Sequence, residues 1–279
     1  MQKLKGLLFG TAGVPIASPK PSSVEGIKTV KALGLDAMEL EFVRGVRMSD
    51  KLTEEVKKVS EEVNVVLTAH APYYVNLNSP DEEKVEASIK RIMDTARVAH
   101  KCGGWSITFH PAYYGDDEPS AVHEKVKRSL KRLMKELRDE GVTVWVRPET
   151  AGGLAEYGNL HEVVDLSQEI EGVLPCIDFA HLHARTNGGY NTYDEISSIF
   201  ILLEKELGEE CLKNMHMHFS GIEYGERGEI KHVNLEESDY NYEALAKALK
   251  DFHVEGVIIS ESPNIEGDAL FLKKTFESL

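Results

Sequence analysis

Imidazole and carboxylate side chains recur through this 279-residue chain at the ends of short apolar runs. His70 closes Thr-Ala-His-Ala-Pro-Tyr-Tyr, and His110 closes Thr-Phe-His-Pro. Glu149 lies in Arg-Pro-Glu-Thr-Ala-Gly, Asp178 and His181 in Cys-Ile-Asp-Phe-Ala-His, His216 and His218 in Met-His-Met-His-Phe-Ser-Gly, and Glu261 in Ser-Glu-Ser-Pro. His232 follows His218 within a long connection. Imidazole nitrogen mixed with carboxylate oxygen, without thiolate, suits zinc, manganese or iron rather than a structural Cys₄ zinc or a calcium cage. So many donors exceed what one ion takes, which implies two or three ions. Clusters of that kind lower the pKa of a bound water and clamp the attacking and leaving oxygens of a phosphoryl transfer.

Such residues act together only if the fold gathers them. Eight β-branched or apolar runs alternate with longer amphipathic stretches: Leu4 to Phe9, Ala37 to Phe42, Val65 to His70, Ser106 to His110, Val142 to Pro148, Leu174 to Phe179, Asn214 to Phe219 and Gly256 to Glu261. Helices are expected between them, for example over Ser23 to Leu33, Glu82 to Lys101, Val122 to Glu140, Tyr193 to Leu207 and Tyr242 to Phe252. Strand-helix alternation of this kind means a parallel sheet. Eight units without a linker or composition shift favour one closed (β/α)₈ TIM barrel, a single domain over 1–279, whose strand ends converge on the C-terminal mouth. An open dinucleotide-binding sheet lacks support, since Gly10 and Gly13 form only G-x-x-G. Gly221 to Asp239 is the longest irregular connection.

Composition narrows the class further. No stretch approaches the roughly 20 apolar residues of a bilayer span, and no signal-peptide core is present, so a cytoplasmic protein with no membrane partner is expected. Cys102, Cys176 and Cys211 fit buried thiols in a reducing compartment. The net charge of −15 argues against generic polyanion binding. Three divalent ions, however, would bring about +6 to the mouth against about −3 from Glu149, Asp178 and Glu261, making the local field cationic.

At these motifs the chain resembles the endonuclease IV family of apurinic/apyrimidinic endonucleases. The resemblance rests on His-Ala-Pro-Tyr-Tyr-Val-Asn-Leu at 70–77, Phe-His-Pro at 109–111, Glu-Thr-Ala-Gly at 149–152, Cys-Ile-Asp-Phe-Ala-His at 176–181, Met-His-Met at 215–217 and Glu-Ser-Pro at 261–263. It implies a zinc-dependent, monomeric phosphodiesterase that cuts double-stranded DNA on the 5′ side of abasic sites during repair. It also implies that His70 and His110 hold a first ion and that Glu149 bridges to a second taken by Asp178, His216 and Glu261. His181 and His232 hold the third, and Glu149 and Glu261 are the catalytic carboxylates. Tyr73 and Tyr74 match the side chains pushed into the duplex, and Arg44 or Arg47 matches an intercalating arginine.

Two departures stand out. Where the family carries Asp-x-His, this chain has Ile230-Lys231-His232, with Glu229 one residue away. His183 and His218 are extra histidines, each open to a metal or a supporting hydrogen-bond role. The main alternative is a divalent-metal sugar isomerase or epimerase of the same wider barrel group, which needs only the ligands matched by Glu149, Asp178, His216 and Glu261. A further alternative is a non-catalytic member that binds DNA or metal without cutting.

Overall fold

The computed structural model describes residues 3–279 as one (β/α)₈ barrel. Its strands are β1 (Leu7–Ala12), β2 (Ala37–Glu41), β3 (Val66–His70), β4 (Ser106–Phe109), β5 (Trp145–Pro148), β6 (Cys176–Asp178), β7 (Met215–Phe219) and β8 (Gly256–Ser260). They form one parallel sheet in the order β5-β4-β3-β2-β1-β8-β7-β6. Parallel bridges Val146↔Val173 and Glu149↔Cys176 join the two ends and close the barrel. Apolar stripes on the surrounding helices pack against the strands, as Val122, Val126, Leu130, Leu133 and Leu137 do on the helix Pro119–Asp139. Among the described residues no helix is long and apolar enough to cross a membrane. All three cysteines are buried and free.

Helix starts follow local side-chain chemistry. Asn159 with Glu162, and Thr192 with Glu195, form reciprocal capping boxes that open Leu160–Glu169 and Tyr193–Leu207. Two of the expected elements differ. The first strand runs three residues later than Leu4 to Phe9, because Gly10 pairs within the sheet and does not end it. Leu4 instead joins Ala37, Trp105, Val257 and Ile259 in a separate buried cluster. The connection Gly221 to Asp239 is not irregular: it is an antiparallel hairpin, Gly221–Gly225 with Gly228–Val233, followed by a 3₁₀ turn at Leu235–Glu237.

Gly256 starts β8 at φ +126°, where an added Cβ would lie 2.0 Å from the Met215 carbonyl oxygen. That contact sits where β8 meets β7, so neither backbone can retreat without breaking the ladder. Gly256→Ala is therefore expected to cost more than about 3 kcal/mol, read as a lower urea midpoint. A midpoint equal to that of the parent protein would show that the strand entry is soft.

Candidate metal centre at the barrel mouth

Glu149 follows β5 with no solvent exposure and lies at the centre of the mouth. Its carboxylate is 3.0 Å from His70 Nε2, 3.2 Å from His218 Nδ1, 3.3 Å from His181 Nδ1 and 3.9 Å from His110 Nε2. Three donor groups overlap around it. Ligand atoms of His70, His110 and Glu149 lie within 4.8 Å of one another, as do those of Glu149, Asp178, His218 and Glu261, and those of Asp178, His181, His232 and Glu261.

The imidazoles are aimed by the backbone. His70 Nδ1 faces the Ala71 carbonyl at 2.7 Å, His181 Nδ1 the Thr150 carbonyl at 2.9 Å and His232 Nδ1 the Glu261 carbonyl at 3.3 Å. Since a carbonyl only accepts, each Nδ1 donates to it, and each Nε2 is turned toward the mouth. Asp178 uses Oδ1 to accept from the His181 N–H at 2.7 Å, while its buried Oδ2 has no hydrogen-bond partner. Imidazole nitrogens turned together beside an orphaned carboxylate oxygen are the arrangement a divalent ion takes up by displacing their protons, so the residues fit metal.

His216 does not stand where the family resemblance places it. Register pairs His218 with Asp178 and His216 with Cys176, so His216 lies one layer deeper. Both side chains face inward because a strand repeats every two residues, but it is His218 that joins Asp178 and Glu261. His183 is also elsewhere. Asp178 caps a short helix, Phe179–Arg185, and two residues along a helix turn a side chain by about 200°. His183 thus faces away, bonded to the Gly189 carbonyl at 2.8 Å and Asp239 at 3.1 Å, where it ties down the next loop.

Glu229 lies beside two of the mouth imidazoles. It lies 3.2 Å from His181 Nε2 and 3.4 Å from His232 Nε2. Within the hairpin Glu223 pairs with Lys231 and Tyr224 with Glu229, so Ile230 is an extra residue in a β-bulge. The bulge puts Glu229 and His232, three apart, on one face, as two-residue spacing does in a regular strand. Ile230 is left exposed.

Tyr73 and Tyr74 lie exposed on the loop after β3, their ring centroids 4.3 Å apart and their hydroxyls 3.0 Å apart. Tyr73 also lines a pocket of about 290 Å³ with His110, Tyr113, Glu156 and Glu261. Arg44 and Arg47 are exposed on the loop after β2, at the same face. Sequence reasoning missed Glu39 and Glu41 on β2, and Glu156. Glu39 is fully buried inside the barrel, a signal available only as an acidic residue at an inward position of an apolar run.

Over residues 27–275 the chain matches the family described as Xylose isomerase-like TIM barrel, and it belongs to that family. It is 42% identical to an uncharacterized protein of Methanocaldococcus jannaschii across 98% of each chain. A probable endonuclease 4 of Aquifex aeolicus is 27% identical over 82% of this chain and 83% of its own. Among solved structures, endonuclease IV from Thermus thermophilus superposes with a TM-score of 0.74 at 23% identity, covering 98% of both chains. A D-tagatose 3-epimerase-like protein superposes with a TM-score of 0.72 at 17% identity, covering 98% of this chain and 96% of its own. At those identities the two superpositions establish the fold.

Crowding sets the charge states. Burial opposes a charge on His70, but the hydrogen bond and charge of Glu149 outweigh it and lift the imidazole to about 10. Against the same burial, Glu229 and Glu261 lift His232 to about 9. Burial raises Asp178 to about 6, with Glu261 and Glu149 adding to it against His181. Glu229, despite burial, is pulled down to about 2 by His232 and His181. For the raised histidines, the stability gained is complete below their unfolded value of 6.5 and is lost as pH climbs to 9–10. Asp178 works in the same sense, losing its contribution as pH rises through 6. Metal-free protein should therefore show a urea midpoint that falls from pH 7 to pH 10, and saturating zinc should flatten that slope. A midpoint that rises over this range would overturn the charge assignment.

Proposed function

We propose that this chain is a metal-dependent phosphodiesterase of the endonuclease IV kind, cutting double-stranded DNA on the 5′ side of abasic sites as a cytoplasmic monomer. The observation that carries the reading is three overlapping donor groups at one mouth, where proton abstraction in a sugar isomerase needs one ion. His70, His110 and Glu149 would hold the first ion, and Glu149, Asp178, His218 and Glu261 the second. His181 and His232 would hold the third, with Glu229 supplying its carboxylate. Zinc suits these donors best, with manganese and iron next.

When bound, such ions acidify a water and offset the charge that develops on the phosphate oxygens. The remaining work falls to the side chains. Glu149 belongs to two donor groups at once and keeps them in register. Glu261 Oε2, 3.4 Å from His218 and 3.9 Å from His232, faces the second and third groups, where it would take the proton of the attacking water. The water oxygen bonds to phosphorus as the P–O3′ bond breaks. The departing O3′ takes a proton from solvent and leaves as a 3′-hydroxyl. Tyr73 and Tyr74 offer exposed ring faces for an unstacked base, and Arg44 and Arg47 bring cations to the rim of an acidic protein.

A second reading, a ketose epimerase, is favoured by one observation: Glu149, Asp178, His218 and Glu261 alone suffice for a single ion. A duplex carrying one tetrahydrofuran abasic analogue separates the two. Strand scission that stops on chelation supports the nuclease. Intact duplex, together with exchange of solvent deuterium into a ketose, replaces it with the epimerase.

Glu149→Ala is expected to lower the cleavage rate by about a thousandfold or more, because it removes a shared donor of two groups. Tyr73→Ala should raise KM about tenfold at nearly constant kcat, the cost of one lost stacking surface. Glu229→Ala should lower zinc content by one ion per chain, whereas deletion of Ile230, which turns Glu229-x-x-His232 into a two-residue spacing, should retain it. Equal zinc in the Glu229 variant would sink the assignment of the third group.

A further inference from the structure

The short helix after β6 grips the end of β5 along one stripe. Asp178 at its N-cap, and His181 and Arg185 within it, stand at i, i+3 and i+7, which share a helix face. All three bond to residues 150–153, which continue the chain beyond Glu149. The Asp178 N–H donates to Thr150 Oγ1 at 2.8 Å, and that hydroxyl donates to the Asp178 carbonyl at 3.2 Å. His181 Nδ1 faces the Thr150 carbonyl at 2.9 Å. A turn further on, Arg185 Nη1 donates to the Gly153 carbonyl at 2.6 Å and to the Ala151 carbonyl at 3.3 Å. Its Nη2 donates to the Tyr114 hydroxyl at 3.3 Å, whose own proton goes to Glu162 at 2.8 Å. This partly buried guanidinium forms no ion pair among the described residues, so its charge is spent on backbone carbonyls.

The other edge of the same segment carries the hairpin. The Glu229 N–H donates to the Gly152 carbonyl at 3.1 Å, the Leu154 N–H donates to the Arg227 carbonyl at 3.1 Å, and Gly153 bridges Gly228. The layers leave no slack. A Cβ added at Gly228 would lie 2.2 Å from the Gly152 carbonyl oxygen, and one added at Gly152 would lie 2.5 Å from Glu229 Oε2. Residues 150–153 are thus a strap between the helix that delivers His181 and the hairpin that delivers Glu229 and His232.

We propose that Arg185 is the positioning residue of the third donor group, setting the place of Glu229 against His181 through this strap. Its metal consequence rests on the reading of the mouth given above. Arg185 bonds to no donor side chain itself and acts only through the carbonyls it holds. A guanidinium suits that task, because its planar fork reaches two carbonyls and a phenol at fixed angles, whereas a lysine offers one point charge. Hydrogen bonds from a charged donor are also about twice as strong as neutral ones. Ligand sites tolerate displacements of only about 0.5 Å, so a strap that shifts further carries Glu229 away from the 3.2 Å it keeps from His181 Nε2. The groups of His70, His110 and Glu149, and of Glu149, Asp178, His218 and Glu261, contain no hairpin residue and keep their donors.

Amide hydrogen exchange of the full chain, with and without a chelator, tests the tie independently of metal. Arg185→Met is expected to speed exchange of the Glu229 and Leu154 amides about tenfold or more, with the amides of the distant helix Pro119–Asp139 unchanged. Arg185→Lys should fall between the two. Parent-like protection at Glu229 and Leu154 in Arg185→Met overturns the proposal, and so does a uniform rise along the whole chain, the mark of a general loss of stability. Should the methionine variant not fold, Arg185→Lys carries the test: exchange about threefold faster at the two amides is expected, and unchanged exchange overturns the tie. Zinc content is then compared after dialysis against the same buffered zinc. Arg185→Met should hold one ion per chain fewer than the parent, with Arg185→Lys restoring part of it, and equal zinc removes the role of Arg185 at the metal. A parent protein with fewer than three ions removes the third group from the mouth reading and leaves the hold of Arg185 on Glu229 to be decided by exchange, so the two fail separately.

Discussion

Glu149 is a carboxylate with no contact to water, and everything at the mouth answers to that. Removing such a group from solvent is costly unless opposite charge and hydrogen bonds replace the lost hydration. Here four imidazoles stand within 3.9 Å of it, delivered by the ends of β3, β4 and β7 and by the helix after β6. Burial acts against the charge on those imidazoles as well, so neither partner is stable alone. Closure of the barrel and assembly of the centre are thus one event: a strand end displaced by a residue would leave a buried charge without its partner.

The same pattern, His-x-His, has opposite outcomes in two places. On β7 it puts His216 and His218 on one face, stacked in consecutive layers of the interior. On the helix after β6 it splits His181 from His183, sending one to the mouth and the other to a loop anchor. Backbone geometry decides which imidazole belongs to the chemistry. The bulge at Ile230 acts in the same way, recovering by a local change of twist a spacing that regular strand geometry would have denied to Glu229 and His232.

The proposed action on DNA requires an acidic protein to divide its charge in space. Many of the acidic residues sit on the outer helices, paired with lysine or arginine three or four residues away, as in Lys90 with Asp94 and Lys135 with Asp139. Such exposed pairs contribute little to stability and are screened within about 8–10 Å. The mouth is governed instead by its own short-range balance of carboxylates, imidazoles and the ions they would hold.

The number of strands, their parallel direction and the residues at their ends were all legible in the chain, because a repeated apolar run followed by an amphipathic stretch admits few packings. His70, His110, Glu149, Asp178, His181, His232 and Glu261 could be picked out because each ends or follows such a run. What could not be read was depth. Whether His216 or His218 meets Asp178 depends on the stagger between β6 and β7, which is set by hydrogen bonds between strands about forty residues apart. Glu39 was invisible for the same reason: inside an apolar strand it looks like one acidic residue among many, and only closure turns it toward the axis, between His216 and His218. Residue types and order determined which chemistry was possible, and the register of a closed sheet decided which of those residues meet.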